Sequence, residues 1–312
     1  MKILVFGKDG QLGKALQKQF RHSGNIVFSG RLECDLTDQE ALDVYLNSQK
    51  ADLIINTAAF TAVDLAENSR DLAYATNSLA PQRMANYCAQ NKKQLIHFST
   101  DYVFDGLKEE PYCESDLCYP LNIYGKSKLD GELKIKQAFY EQISEGGLDE
   151  INGAYIILRS TWIYGDGSNF IKSILRAANE RETLNVVSDQ YGVPVSTIWL
   201  SNLTQAIIES NIIFSGIYHA VPKGKTSWFE LAQFILECCK ELNITTKLQS
   251  RNLHPILTKE YPSIALRPQS SVLSTRKLEI AYPVTKKYLE QDWKIGVKKY
   301  IQQFGVSQEV KC

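Results

Sequence analysis

Tyr124 and Lys128 stand four residues apart in the segment PLNIYGKSKLDGE, and Thr100 precedes them in STDYVFDG. Four residues make about one helical turn, so on a helix the two side chains share a face. A free tyrosine has a pKa of about 10, and a neighbouring ammonium group favours phenolate and lowers that value. The pair therefore predicts a phenol that serves as a general acid near neutral pH. The alternative is a solvated helix face, because both residue types are common on protein surfaces.

The glycines at the start of the chain predict a phosphate-binding turn. Gly7, Gly10 and Gly13 are three residues apart in GKDGQLG, directly after the apolar run KILVF. The first allows a tight strand-to-helix turn, the second lets the backbone approach a pyrophosphate, and the third permits close helix–strand packing. The spacing is GxxGxxG rather than GxGxxG, and an ordinary strand–helix turn remains the alternative.

The end of the second apolar run bears on which dinucleotide is bound. In the segment SGRLECDLTD the first charged residue is Arg31, and the first carboxylate is that of Glu33. A carboxylate at this position holds the ribose hydroxyls of NAD, whereas a basic side chain suits the 2′-phosphate of NADP. The segment thus favours NADPH over NADH, and Asp35 with Leu36 is expected to frame the adenine.

The elements that must position these residues alternate along the first half of the chain. Five apolar runs are predicted strands: residues 2–7, 25–30, 51–59, 94–102 and 153–165. Helical patterns separate the first four runs, which predicts an α/β, Rossmann-like, doubly wound parallel sheet. We expect a dinucleotide-binding domain over 1–159, completed by a segment near 196–220, and a smaller C-terminal substrate-binding lobe over 160–312. Within the lobe, Ser227 and Glu230 predict a capping box.

Composition excludes several classes of function. The 312 residues have a formal net charge of zero and no basic stripe, which argues against nucleic-acid binding. Seven scattered cysteines and four isolated histidines predict neither a disulfide framework nor a metal site. Every apolar run is too short to cross a bilayer, so we expect a cytoplasmic protein without a membrane partner.

Taken together, the motifs resemble those of the dTDP-4-dehydrorhamnose reductase family, a branch of the extended short-chain dehydrogenase/reductases. The matching segments, in chain order, are GKDGQLG, NTAAFTAVDLAE, ATNSLAP, STDYVFDG, PYCESD, PLNIYGKSKLDGE, LRSTWIYG, DQYGVPVS and RPQSSVLSTRKL. They cover nearly the whole chain, and their order and spacing are more specific than any one of them.

The resemblance implies roles for individual residues. Thr100, Tyr124 and Lys128 are the implied catalytic residues, with Tyr124 as the acid and Lys128 holding the nicotinamide ribose. The other implied cofactor contacts are Gly7, Gly10, Gln11, Leu12, Gly13, Arg31, Asp35, Leu36, Ala58, Ala59, Thr61 and Phe98. The implied substrate contacts are Thr100, Asp101, Trp162 and Arg267. Without the family context, Trp162 and Phe98 are ordinary core residues, Thr100 caps a strand end, and Asp101 and Asp105 form turns.

The activity implied is NAD(P)H-dependent reduction of the C4 keto group of a dTDP-6-deoxy-4-keto-hexose, giving dTDP-L-rhamnose. Two alternatives stay open: a reductase of another nucleotide-activated keto-sugar, and a non-catalytic regulatory subunit that retains the fold.

Assembly is the least constrained property. A homodimer is compatible with the sequence, but some family members join subunits through a metal bound by glutamates, and Ala15 and Ile198 stand at the aligned positions. We therefore do not expect a metal-bridged dimer. The acidic segment 141–155 is interpreted as a surface excursion or an extended helix end without a chemical role.

Overall fold

The computed structural model describes residues 1–21, 24–146, 153–211 and 214–309, with only the backbone described for 142–146 and 304–309. Its strands are β1 Ile3–Phe6, β2 Ile26–Ser29, β3 Leu53–Asn56, β4 Gln94–Thr100, β5 Ala154–Ser160, β6 Ile163–Tyr164, β7 Leu184–Val187, β8 Tyr191–Gly192, β9 Val195–Ser196, β10 Gly216–His219, β11 Thr226–Ser227 and β12 Leu253–Ile256. Its α-helices are α1 Gln11–Gln19, α2 Gln39–Gln49, α3 Val63–Asn68, α4 Arg70–Tyr74, α5 Ala80–Gln90, α6 Ile123–Gly146, α7 Phe170–Glu180, α8 Thr197–Glu209, α9 Trp228–Glu241, α10 Arg276–Ala281, α11 Lys286–Leu289 and α12 Trp293–Glu309.

Six strands form a central sheet in the order β10-β5-β4-β3-β1-β2, and every neighbouring pair is parallel. Chain order reverses between β1 and β3, which is the switch point of a doubly wound fold. The predicted α/β class with a parallel sheet is confirmed. The carboxyl ends of all six strands lie at one edge, where such folds bind ligands.

Both faces of the sheet are covered, which explains why its strands are nearly continuous apolar runs. Ile3 and Val5 of β1 belong to one buried cluster together with residues of α1 and α8. Leu4 and Phe6 belong to a second cluster together with residues of α2, α5 and α6. This alternation follows from the two-residue period of a strand, and it fixes the helices whose ends surround the carboxyl edge.

The chain beyond β5 forms short two-stranded sheets, β6 with β9, β7 with β12, and β8 with β11, together with α7 and α9 to α12. Ser227 caps α9, and its hydroxyl accepts from the Glu230 N–H while the Glu230 carboxylate accepts from the Ser227 N–H. The predicted capping box is confirmed.

The described residues bear on three further sequence predictions. In the 141–155 segment, α6 continues to Gly146, and 147–152 lie outside the described residues. The later segment 216–219 does join the sheet beside β5, while the division into 1–159 and 160–312 stays a prediction. Among the described helices, none is both long and apolar enough to span a membrane.

Candidate active site

A cavity of about 730 Å³ opens at the carboxyl edge of the sheet. The loops after β1, β2, β3, β4 and β5 and the first turn of α6 form its walls. The sequence-predicted residues that line it are Gly7, Gly10, Gln11, Leu12, Arg31, Asp35, Leu36, Ala58, Ala59, Thr61, Phe98, Thr100, Asp101, Tyr124, Lys128 and Trp162. These residues are spread over most of the first half of the chain, and the fold brings them to one place.

The glycine turn leaves the N-terminus of α1 open to the cavity. Gly7 has φ +88°, a region that favours glycine, and a Cβ there would lie 2.6 Å from Thr57 Oγ1. Gly10 is the N-cap residue of α1 and supplies no side-chain cap. The first N–H groups of this helix therefore need an external acceptor, and they attract an anion. This cradle fits the pyrophosphate of a dinucleotide.

The adenosine end of the cavity is bordered by residues after β2. Arg31 is exposed on this wall. Glu33 is engaged elsewhere, because Lys8 Nζ lies 2.5 Å from its Oε1 and the Gly30 N–H donates to its Oε2 at 2.8 Å. The wall thus offers an exposed arginine near Asp35 and a carboxylate already bound to a lysine.

Tyr124 and Lys128 lie on the first turns of α6, and both line the cavity. Burial raises the pKa of the Tyr124 phenol to about 12, and a hydrogen bond with Thr100 opposes the rise. The lysine amine is turned towards β4, where it donates to the Phe98 carbonyl oxygen at 2.6 Å. In the protein alone the phenol pKa is thus shifted in the direction opposite to the predicted lowering, because desolvation of the phenolate outweighs its favourable contacts.

Thr100 and Asp101 complete the reactive end of the cavity. The Thr100 hydroxyl donates to Asp101 Oδ1 at 3.0 Å and accepts from the Tyr102 N–H at 3.1 Å. Asp101 is 2% exposed, and among the described residues its Oδ2 has no hydrogen-bond partner. Burial raises the pKa of this carboxyl to about 6, while the neighbouring Ser271 and Thr100 hydroxyls oppose the rise.

Two stacked indoles form the far wall. Trp162 and Trp228 both line the cavity, with ring centroids 3.5 Å apart and planes 12° apart. Trp162 has φ +35°, an unfavourable conformation for a bulky residue. Trp228 Nε1 donates to Gln190 Oε1 at 3.2 Å, and this hydrogen bond orients the Trp228 ring. Strain of this kind is retained mainly at functional sites.

Comparison with known proteins agrees with this geometry. The family model described as the RmlD substrate binding domain matches residues 1–306. The dTDP-4-dehydrorhamnose reductase of Escherichia coli strain K12 is 34% identical over 311 residues, which cover 97% of this chain and 98% of that protein. The chain belongs to the dTDP-4-dehydrorhamnose reductase family.

Solved structures of family members share the whole fold. The dTDP-4-dehydrorhamnose reductase of Clostridium acetobutylicum ATCC 824 superposes with a TM-score of 0.85 at 34% identity, covering 98% of this chain and 100% of that one. The Bacillus anthracis strain Ames enzyme, solved in complex with NADP, gives a TM-score of 0.83 at 30% identity, covering 97% and 100%.

Two predicted site residues of the family pattern do not line the cavity. Gly13 lies beneath the glycine turn, where a Cβ would overlap the Gly7 carbonyl oxygen, so it permits packing. Arg267 is held by Asp64, with Nη2 and Oδ2 2.6 Å apart, and it also donates to the Ser263 hydroxyl. Its substrate contact stays a prediction, as do the roles of the residues that do line the cavity.

Several lining residues were not predicted. They include Asp9, Ser29, Thr57, Thr76, Ser99, Tyr102, Ser160, Thr161 and Trp228. Tyr102 follows Thr100 and Asp101 directly, so the end of β4 was the signal that could have found it. Trp228 comes just after the capping serine of α9, where its type and position resemble an ordinary core residue.

A buried ion pair lies behind the cavity. Arg159 on β5 binds Glu132 on α6 through two N–H groups, with Nη2 and Oε2 2.6 Å apart and Nε and Oε1 2.9 Å apart. The side chains are 2% and 1% exposed. Ser99, which lines the cavity, donates to Glu132 Oε1 at 2.5 Å. The pair thus joins the cavity wall to the helix that carries Tyr124 and Lys128.

Replacing Asp101 with asparagine is expected to stabilise the protein at about pH 8 by about 2–3 kcal/mol. The folded-state pKa of about 6 lies above the unfolded value of about 3.9. The carboxyl therefore stabilises the fold at low pH, and this contribution is lost as the pH rises through about 6. Urea unfolding at about pH 4 and about pH 8 measures the difference between the two proteins.

Asp105→Asn is the matched control. A hydrogen bond from the Tyr112 hydroxyl, 2.6 Å from Asp105 Oδ1, lowers the pKa of that carboxyl. This aspartate stabilises the fold at neutral pH and loses the contribution as the pH falls, so the control variant should be destabilised at about pH 8. A loss of stability there in Asp101→Asn would contradict the assignment.

Proposed function

We propose that the protein catalyses NAD(P)H-dependent reduction of the C4 keto group of a dTDP-6-deoxy-4-keto-hexose, giving dTDP-L-rhamnose. Family membership over the whole chain supports the reaction class. The observation that carries the proposal is one cavity that joins an open helix N-terminus to Tyr124, Lys128 and Thr100. This arrangement provides an anion cradle at one end and a proton donor at the other.

A bound reduced nicotinamide would supply the hydride to the carbonyl carbon. Tyr124 donates its proton as negative charge builds on the carbonyl oxygen, and its high pKa keeps the phenol protonated throughout the neutral range. When substrate binds, the Thr100 hydroxyl donates its hydrogen bond to the carbonyl oxygen of the sugar instead of to Asp101 Oδ1. This hydrogen bond orients the carbonyl group. One N–H of Lys128 donates to the Phe98 carbonyl oxygen. Another N–H of the same amine binds the ribose hydroxyls.

The cofactor we favour is NADPH. Arg31 is exposed where a 2′-phosphate would lie, and Glu33 is occupied by Lys8 and the Gly30 N–H. A carboxylate held in this way is less available to ribose hydroxyls than a free one. The complex of the Bacillus anthracis relative with NADP agrees with this choice.

The test is a turnover assay on the purified protein. The absorbance of NADPH should fall only when the dTDP-linked keto-sugar is added, and NADH should be less efficient. A panel of keto-sugars on other nucleotides separates this enzyme from a reductase of a different nucleotide sugar. No turnover on any keto-sugar, together with stoichiometric capture of an enzyme partner, would establish the non-catalytic alternative instead.

For assembly, we propose that a homodimer of this chain, where one forms, is not bridged by a metal. Ala15 is buried in α1, and Ile198 is 51% exposed in the first turn of α8. Neither side chain can ligate a cation.

A further inference from the structure

A chain of three buried side chains runs from β3 to the lysine of the active site. Asn56, His97 and Lys128 are 0%, 0% and 1% exposed. Asn56 Nδ2 lies 3.1 Å from His97 Nδ1, and His97 Nε2 lies 3.2 Å from Lys128 Nζ. The imidazole therefore touches the lysine amine directly from behind, on the side away from the cavity.

The orientation of Asn56 decides which ring nitrogen of His97 carries the hydrogen. The Ala58 N–H donates to Asn56 Oδ1 at 3.1 Å, so the NH₂ end of the amide faces the ring. An amide NH₂ can only donate, and His97 Nδ1 must accept. A neutral imidazole then carries its hydrogen on Nε2, pointing at Lys128 Nζ.

A donor at Nε2 is incompatible with an ammonium group 3.2 Å away, because neither group can accept. An uncharged amine resolves the contact: its lone pair accepts from His97 Nε2, and one N–H donates to the Phe98 carbonyl oxygen at 2.6 Å. The second N–H remains for a ligand. We propose that Asn56 and His97 are positioning residues that orient Lys128 and favour its uncharged amine over the ammonium form in the free protein.

The charges around the amine agree with this proposal. Among the described residues, the titratable and charged groups that act on the amine are His97 on β4 and Glu132 on α6, with Arg159 on β5 beyond Glu132. Both Glu132 oxygens are bound by Arg159, so the carboxylate only partly compensates a second buried cation. Burial lowers the pKa of Lys128 to about 8, and Glu132 opposes the fall. Burial holds the pKa of His97 well below its usual range.

The proposal rests on the proposed function only for its catalytic consequence. In a reductase whose ribose is held by Lys128, the pH dependence of turnover should show an inflection near the pKa of that amine, about 8. The tautomer of His97 is independent of any reaction, so it can be measured even if the protein proves not to reduce keto-sugars.

The direct test is a long-range ¹H–¹⁵N spectrum of the full-length protein labelled with ¹⁵N-histidine. The chain has four histidines, and His97 is assigned by its disappearance in His97→Gln. The expected result, at about pH 9, where an amine of pKa about 8 is uncharged, is a neutral His97 protonated on Nε2. Protonation on Nδ1 would mean that Lys128 donates to Nε2 as an ammonium group, and the proposal would be overturned.

A second variant tests the direction of control. Asn56→Asp keeps the acceptor for the Ala58 N–H but presents an acceptor to His97, which should move the hydrogen to Nδ1. Nε2 then accepts from Lys128, and the proton affinity of the amine should rise at least about tenfold, moving the inflection up by about one pH unit. The double variant Asn56→Asp/His97→Gln keeps the carboxylate and removes the ring.

The two variants separate the mechanisms cleanly. If the inflection moves in Asn56→Asp and returns in the double variant, His97 transmits the effect as proposed. If it moves equally in both, the new charge acts on Lys128 directly and the proposal fails. Should Asn56→Asp not fold, the histidine spectrum of the unmodified protein still decides the question.

Discussion

Replacing Tyr124 with phenylalanine is expected to lower kcat by at least about 10²-fold, the low end for loss of a general acid. The variant keeps the ring and its packing against Tyr102, with centroids 5.7 Å apart, but removes the proton that the carbonyl oxygen must receive. The Michaelis constant for NADPH should change little, because the glycine turn and Lys128 are untouched. Steady-state kinetics with the keto-sugar at saturating NADPH measure the effect.

Tyr102→Phe is the matched control, because two phenols line the same cavity. Burial raises the pKa of both hydroxyl groups, so the pKa alone does not choose between them. Position does: Tyr124 shares a helix face with Lys128 and hydrogen-bonds with Thr100. The control should lose less than about tenfold in kcat. Equal losses, or a larger loss in the control, would remove Tyr124 as the acid.

Replacing Glu132 with glutamine is expected to destabilise the protein by about 3–5 kcal/mol. The change is nearly isosteric, but it leaves the Arg159 guanidinium buried without a counter-charge. Nη1 of that group already has no hydrogen-bond partner among the described residues. The guanidinium therefore cannot replace the lost charge by a further contact through Nη1. The free energy of unfolding in urea at neutral pH measures the loss.

Two further proteins calibrate that loss. Glu241→Gln breaks the exposed pair with Lys298, whose side chains are 59% and 44% exposed, and it should cost no more than about 1 kcal/mol. The double variant Glu132→Met/Arg159→Met removes both buried charges and should recover most of the lost stability. If Glu132→Gln cost no more than Glu241→Gln, the buried pair would not contribute as described.

The fold could be predicted because its signal is local. Each central strand is buried on both faces and so appears as an apolar run, and each helix is amphipathic and begins at a recognisable turn. The glycine turn and the strand ends carry polar residues at the one edge where a parallel sheet binds ligands. Gln11 and Ala58 were implied by the family resemblance, and Thr100 was also indicated by its position at the end of a strand.

What the sequence could not predict depends on contacts between distant segments. Arg267 has the residue type of a phosphate or substrate contact, and Asp64, far away in the chain, pairs with it beside the cavity-lining Tyr102. Trp228 lines the cavity only because Gln190 and Trp162 fold beside it. Neither relationship has a periodicity or a spacing that could be read in advance.

The electrostatics of Tyr124 and Lys128 also depend on contacts that residue types do not reveal. Residue types predicted a cation that acidifies a phenol. In the structure, burial dominates: it raises the pKa of Tyr124 and lowers that of Lys128. His97 looked like part of a buried strand, and its contact with the lysine amine appears only once β4 and α6 are packed together.

The central claim is that the protein catalyses reduction of a keto-sugar at C4 in this cavity. Isotope tracing tests that claim most directly. The purified protein would be incubated with the dTDP-linked keto-sugar and NADPH deuterated at C4 of the nicotinamide, on the face that is transferred. Our account predicts one deuterium per product molecule at C4 of the sugar in dTDP-L-rhamnose. The Tyr124→Phe variant should form this labelled product only at its residual rate. Consumption of NADPH without deuterium at that carbon, or no consumption with this sugar, would contradict it.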